Sequence, residues 1–266
     1  MKKLLIAFIM LLSINAFGDD INLWKKSTLN QILERGELSI GFDPGYMPFE
    51  MRTKRGDIIG FDIDIAREMA NAMGVKLKLV PNDWNGIIAS LLTGKFDMIL
   101  AGMTVTSERN LRINFTDPYI TIGQTLLANK KHAGKTWKDL DKSGYTITAK
   151  LGTTGEIVAK KIFKNAKIKT FEAQSEAIQE VMNGVADAWI YDQPPNSIYM
   201  LEKGKGTLVH MNELLTSEPL AIGIRKGDPD FLNWLNNFLS QIKHDGTYDR
   251  IYNKWFNDDK WLNQVQ

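Results

Sequence analysis

Two patterns alternate along this 266-residue chain: short apolar runs, and stretches whose apolar positions recur every three to four residues. Residues 38–42 read as a strand that ends in the turn Asp43-Pro44-Gly45. Ile65, Met69, Ala72 and Met73 fall at helical spacing after the acidic residues Asp62 and Asp64, and Gly74 ends that helix. Residues 75–80 alternate as a strand, 85–93 read as a helix and 96–100 as the next strand. A second set follows: strand 145–149, a Gly-rich turn, a helix from about Glu156, strand 168–171, helix 175–183 and strand 186–191. Strand and helix in alternation predict mostly parallel sheets, and two such sets predict two α/β lobes. Open sheets of this kind take ligands beyond the carboxyl ends of their strands. The turns at Asp43, Gly102, Gly152 and Asp192 all fall at that end.

Residues 97–119, DMILAGMTVTSERNLRINFTDPY, carry the densest chemistry. An apolar strand (Met98, Ile99, Leu100) empties into the small residues Ala101 and Gly102, which let a ligand approach the backbone. Arg109 follows, and its planar fork fits a carboxylate bidentately. The segment reads as an amino-acid carboxylate site or as a strand end with an ordinary turn and a surface arginine.

Lys2 and Lys3 precede an apolar run over residues 4–12, and Ala16-Phe17-Gly18 supplies small residues for cleavage. Residues 1–18 read as a secretory signal peptide, too short for a membrane span, with the mature chain beginning near Asp19. The alternative is a retained anchor. With no cysteine, the chain holds no disulfide and offers no thiol for lipid attachment. Export without a lipid anchor points to the periplasm of a two-membrane bacterium. The net charge is +2, and discarding Lys2 and Lys3 from 33 basic residues leaves 31 against 31 acidic. That balance gives no electrostatic case for nucleic acid or an anionic membrane surface.

Several segments together resemble the solute-binding proteins of polar amino-acid ABC transporters, family 3: GFDIDIAREMANAMG (60–74), the stretch 97–119, GTTGE (152–156), ADAWIYD (186–192) and DGTYDRIYNKWF (245–256). The resemblance covers nearly the whole mature chain. It implies the type II periplasmic binding fold, α/β with two lobes, two hinge strands and the ligand in the cleft between lobes. Lobe one would take residues 19–121 plus 224–266, and lobe two 125–220, with hinges near 121–124 and 219–223. It further implies that Arg109 clamps the ligand α-carboxylate, helped by backbone N–H groups near Thr104 and Thr154. Asp192 would pair with the α-ammonium, beside the Thr104 hydroxyl and the Gly102 carbonyl. Tyr46 and Trp84 would sandwich the ligand side chain. The GTTGE turn suits an anion at a helix N-terminus, and Thr153 or Thr154 equally suits a plain N-cap.

Asp43 sits where the lysine/arginine/ornithine- and histidine-binding relatives carry an acid for the distal side-chain charge, so a basic L-amino acid, lysine or arginine first, is the expected ligand. Ala101, commonly serine in those relatives, and Gln193-Pro194-Pro195 depart from their pattern, and Asp43 could simply cap its own turn. Asp62 and Asp64 read as a helix-capping pair rather than a metal site. No cofactor, metal or catalytic residue is expected. The expected partners are the free amino acid and an inner-membrane ABC permease, without nucleic acid or direct membrane insertion, and the chain is expected to be a monomer. Two rivals are a cyclohexadienyl-dehydratase-like enzyme on the same fold, which needs a general acid over its substrate, and a sensor presenting its liganded lobes to a receptor. His132, His210 and His244 lack metal spacing, and no phosphate-binding lysine loop or nucleophile elbow occurs.

Overall fold

The computed structural model describes residues 26–265; the expected signal peptide and the mature start near Asp19 lie outside them. The strands in chain order are β1 (Glu37–Phe42), β2 (Met51–Arg52), β3 (Ile58–Ile59), β4 (Lys76–Pro81), β5 (Met98–Ile99), β6 (Asn114–Phe115) and β7 (Ile120–Ile122). They continue as β8 (Gln124–Asn129), β9 (Thr146–Lys150), β10 (Lys167–Phe171), β11 (Ala188–Asp192), β12 (Leu208–Met211), β13 (Glu218–Leu220) and β14 (Gly223–Ile224).

Ten of these strands build two five-stranded sheets, ordered β4-β1-β5-β14-β6 and β10-β9-β11-β8-β12, and β2–β3 and β7–β13 form two separate pairs. In each, the strand–helix–strand units are parallel, as the alternation predicts: β4-β1-β5 in one and β10-β9-β11 in the other. The remaining strands make both sheets mixed, because β14, β8 and β12 each join an antiparallel neighbour. The first two strands of the first sheet show how sequence encodes position. Central β1 is buried along almost its whole length, Ser39 and Gly41 included, whereas edge β4 alternates exposed lysines with half-buried leucines.

The helix Phe61–Met73 lays Phe61, Ile63, Ile65, Ala66 and Met69 into the first core. It begins after Gly60, whose φ is 146° and where a Cβ would stand 2.0 Å from the Phe49 carbonyl oxygen, so only glycine lets the two segments meet. Asp62 and Asp64 do not cap this helix: its N-cap is Gly60, without a side-chain cap bond. Asp64 instead accepts bonds from Lys254 Nζ (2.6 Å) and Trp255 Nε1 (2.8 Å), pinning the C-terminal region to the helix. Asp62 is fully buried and faces inward. The helix Thr247–Tyr252 completes that lock, with Tyr248 donating to the Tyr119 carbonyl at 2.8 Å and packing edge-on against Phe61. The capping expectation fails because tertiary partners outbid the local backbone for both carboxylates.

The chain leaves the first sheet after β6, enters the second at β8, and returns to β14 after β12. In these two passages β7 and β13 pair antiparallel, with Ile122 opposite Glu218 and Ile120 opposite Leu220. The unusual Gln193-Pro194-Pro195 opens the helix Gln193–Tyr199, where first-turn prolines sacrifice no helical hydrogen bond.

Candidate functional site

The carboxyl ends of β1, β5, β9 and β11 converge between the two sheets around a cavity of about 20 Å³, room for roughly one water. All nine residues singled out in the sequence line it: Asp43, Tyr46, Trp84, Gly102, Thr104, Arg109, Thr153, Thr154 and Asp192. Glu50, Ala101, Lys150 and Tyr191 line it as well. A wider groove of about 1160 Å³ runs between Pro194, Leu201 and the C-terminal Trp255 and Trp261, but it lacks this convergence of charged groups at strand ends.

Arg109 rises from the helical turn Ser107–Asn110, whose N-cap Thr106 accepts the Arg109 backbone N–H at 3.1 Å. Its guanidinium donates to the carbonyls of Thr104 (2.9 Å) and, across the lobes, Gly152 (3.2 Å), and lies 5.2 Å from the Trp84 ring centre. Fixed donors and a stacking face hold the fork while leaving other N–H groups for a carboxylate. Burial lowers its pKa, and Glu218, Asp192 and Glu108 oppose that shift. Trp84 also spans the lobes, donating to the Gly152 carbonyl at 2.9 Å. Thr153 caps the helix Thr154–Ile162, its hydroxyl accepting from Glu156 N, so the cap geometry is present, and Thr153 and Thr154 line the cavity with Arg109.

Asp192 ends β11 and accepts bonds from the Tyr46 hydroxyl and the Gln124 amide. Burial, reinforced by Glu218, pushes its pKa up to about 7, against the lowering pull of Tyr46, Arg109 and Gln124. Tyr46 is stacked on Phe49, with ring centres 4.7 Å apart, and its ring covers Gly102. A Cβ on Gly102, whose φ is +55°, would stand 2.2 Å from Tyr46 Cε1. The Gly102 N–H donates to Asp62 Oδ2 at 2.9 Å, and Tyr119 donates to the same oxygen at 2.9 Å, so the inward-facing Asp62 shapes the floor of the site.

Four groups escaped the sequence reading. Glu218, on β13, accepts from Thr104 (2.9 Å) and Thr154 (2.6 Å), one from each side of the cleft. The Thr104 hydroxyl therefore points to Glu218 rather than standing free beside Asp192. Gln124 positions Asp192. Lys150, at the end of β9, forms an ion pair with Asp43 across the lobes. Glu50 is 1% exposed. None belongs to a local motif, although Lys150 does precede the Gly-rich turn, and that position was a usable signal.

The sequence pattern of the bacterial extracellular solute-binding proteins, family 3, matches residues 38–258. The chain belongs to this family. Among solved structures, a putative ABC-transporter binding component from Wolinella succinogenes complexed with lysine is 58% identical, covering 86% of this chain and 100% of that one at a TM-score of 0.83. An ancestral amino acid-binding protein, a precursor of cyclohexadienyl dehydratase, is 48% identical over 86% of this chain and 99% of that one, with a TM-score of 0.80. An L-cystine-binding protein of Escherichia coli (strain K12) is 27% identical over 97% of this chain and 95% of its own. For a family-3 solute-binding protein, the cavity between the two lobes is where the fold and the charged side chains agree. Among the described residues no helix is long and apolar enough to cross a membrane.

Proposed function

We propose that the protein is the periplasmic substrate-binding component of an amino-acid ABC transporter and that it binds a basic L-amino acid, lysine or arginine. The observation that carries this reading is the order of fixed charges around one cavity. Arg109 and the first turn of the helix Thr154–Ile162 offer donors for an α-carboxylate. Asp192 offers an acceptor for an α-ammonium, and Asp43 and Glu50 add two further carboxyls to the lining, the first paired with Lys150. The lysine-bound relative at 58% identity supports the same class of ligand.

The ligand touches groups from both lobes, so it favours a closed arrangement by its differential contacts, with β7 and β13 as the flexing connection. The monomer then delivers its amino acid to an inner-membrane permease. Binding rather than catalysis is supported by the family and by the lysine-complexed relative, both of binding proteins, while Tyr46 and Gln124 orient Asp192 as an acceptor. The test is calorimetry on protein stripped by denaturation and refolding, titrated with the amino acids in turn. Lysine or arginine should bind tightest. A panel led by glutamate or a neutral amino acid would refute the basic-ligand assignment, and turnover of prephenate or arogenate would refute the non-enzymatic one.

A further inference from the structure

The acid expected to meet a basic side chain is already answered. Asp43 is ion-paired with Lys150, which reaches across from the end of β9, so this pair presents no net charge to a ligand. Glu50 lines the same cavity from the turn after β1, and the Tyr46–Glu50 backbone bridge fixes its position. Among the described residues neither of its carboxyl oxygens accepts an N–H or O–H bond, and Asp62 Oδ1 is equally without a donor. The two carboxyls face each other, and such a contact holds only with a proton between them. The remaining neighbours that act on Glu50 or respond to it are Asp43, Lys150, Tyr46, Tyr119 and Tyr191. Among these Lys150 is the one cation, and Asp43 holds it.

We propose that Glu50 is the residue that selects the charge of the ligand's side chain, exchanging the proton it shares with Asp62 for the distal cation of a basic amino acid. The cavity is lined by three carboxylates (Asp43, Glu50, Asp192) and two cations (Arg109, Lys150). With Glu50 ionised the lining carries one surplus negative charge and complements an amino acid of net charge +1. With Glu50 protonated the lining is neutral and complements a zwitterion with a neutral side chain, such as glutamine. A cation entering beside Glu50 stabilises its ionised form, and the proton leaves to solvent. Burial and the Asp62 carboxyl both favour the protonated form in the empty site, which makes the exchange measurable at neutral pH.

This inference rests on the basic-ligand reading, and the experiment separates the two. Lysine and glutamine are titrated into the refolded wild type and into Glu50→Gln, each at pH 7 in two buffers of different ionisation enthalpy. The Asp192 proton is common to every α-amino acid, so the wild type should release close to one proton more with lysine than with glutamine. Glu50→Gln should lose roughly 30-fold or more in lysine affinity, keep glutamine binding within a few-fold, and release markedly less proton with lysine. The lysine–glutamine difference in the wild type needs no variant, so it tests the exchange even if the substitution impairs folding. Equal proton release with lysine and with glutamine by the wild type, or equal lysine affinity in a folded Glu50→Gln, would overturn the proposal while leaving the basic-ligand reading standing. A wild type that binds no basic amino acid would overturn both.

Discussion

Removing the Arg109 guanidinium is the most direct test of how the site holds an amino acid. In Arg109→Ala the ligand carboxylate loses a partner whose geometry is fixed in advance by the carbonyls of Thr104 and Gly152 and by the Trp84 face. Truncating one partner of a buried charged pair costs about 2–5 kcal/mol, and each ~1.4 kcal/mol is tenfold in affinity, so the loss should fall between roughly 30-fold and several thousand-fold. A second effect adds to it. Arg109 is one of the groups that lowers the pKa of Asp192, so its removal pushes Asp192 further toward the neutral acid and weakens the ammonium contact as well. Arg109→Lys keeps the charge without the planar fork and should fall between wild type and alanine. The fold should survive, because the lost bonds to two carbonyls and the ring stack amount to about 1–3 kcal/mol at the cleft, outside either sheet. Calorimetry on the refolded proteins, with thermal melts as the folding control, gives the answer. A well-folded Arg109→Ala that binds within threefold of wild type would remove Arg109 from the ligand site.

Other outcomes follow from the same geometry. Affinity for an α-amino acid should fall by up to tenfold per pH unit from about pH 7 to pH 5, because Asp192 must give up its proton to accept an ammonium; a flat profile over that range would contradict this. The ligand-free chain should behave in the opposite sense. Asp62 and Asp192 hold protons when folded in the window between about 4 and 7, where the unfolded chain has released them, so their contribution to stability grows as pH falls from 7 toward 4. Urea titrations at pH 5 and pH 8 of Asp192→Asn against wild type isolate the Asp192 share, and an unchanged difference between the two pH values would refute it. Lys150→Met should raise lysine affinity by about tenfold relative to glutamine by freeing Asp43 for the ligand cation; an unchanged ratio of the two dissociation constants would count against that. Gly102→Ala should displace the Tyr46 ring and cost about 1–3 kcal/mol of stability, with weakened amino-acid binding by calorimetry.

The two-lobed α/β architecture was legible because its causes are local. Buried β1 and β11 are mostly apolar and short, and the helix Phe61–Met73 has its apolar stripe. The mixed character of the sheets was not, because β14 joins from a segment more than a hundred residues beyond β5 and is only two residues long. Likewise Asp62 and Asp64 looked like caps, since a sequence shows the neighbouring backbone and hides Gly102, Tyr119, Lys254 and Trp255.

The sequence, read with its family resemblance, marked nine residues that line the cleft, because strand ends and helix starts are visible along the chain, but it did not mark Glu50, Lys150, Glu218 or Gln124. It could not determine their pairing. Whether Asp43 is free or answered by Lys150, and whether Thr104 turns to Asp192 or to Glu218, depend on residues 64 to 114 positions apart brought within bonding distance by lobe packing. Charge at this site is a sum over such pairs, with contributions that grow as water is excluded, so the ligand's charge class is decided by tertiary structure even where every participating residue can be read from the chain.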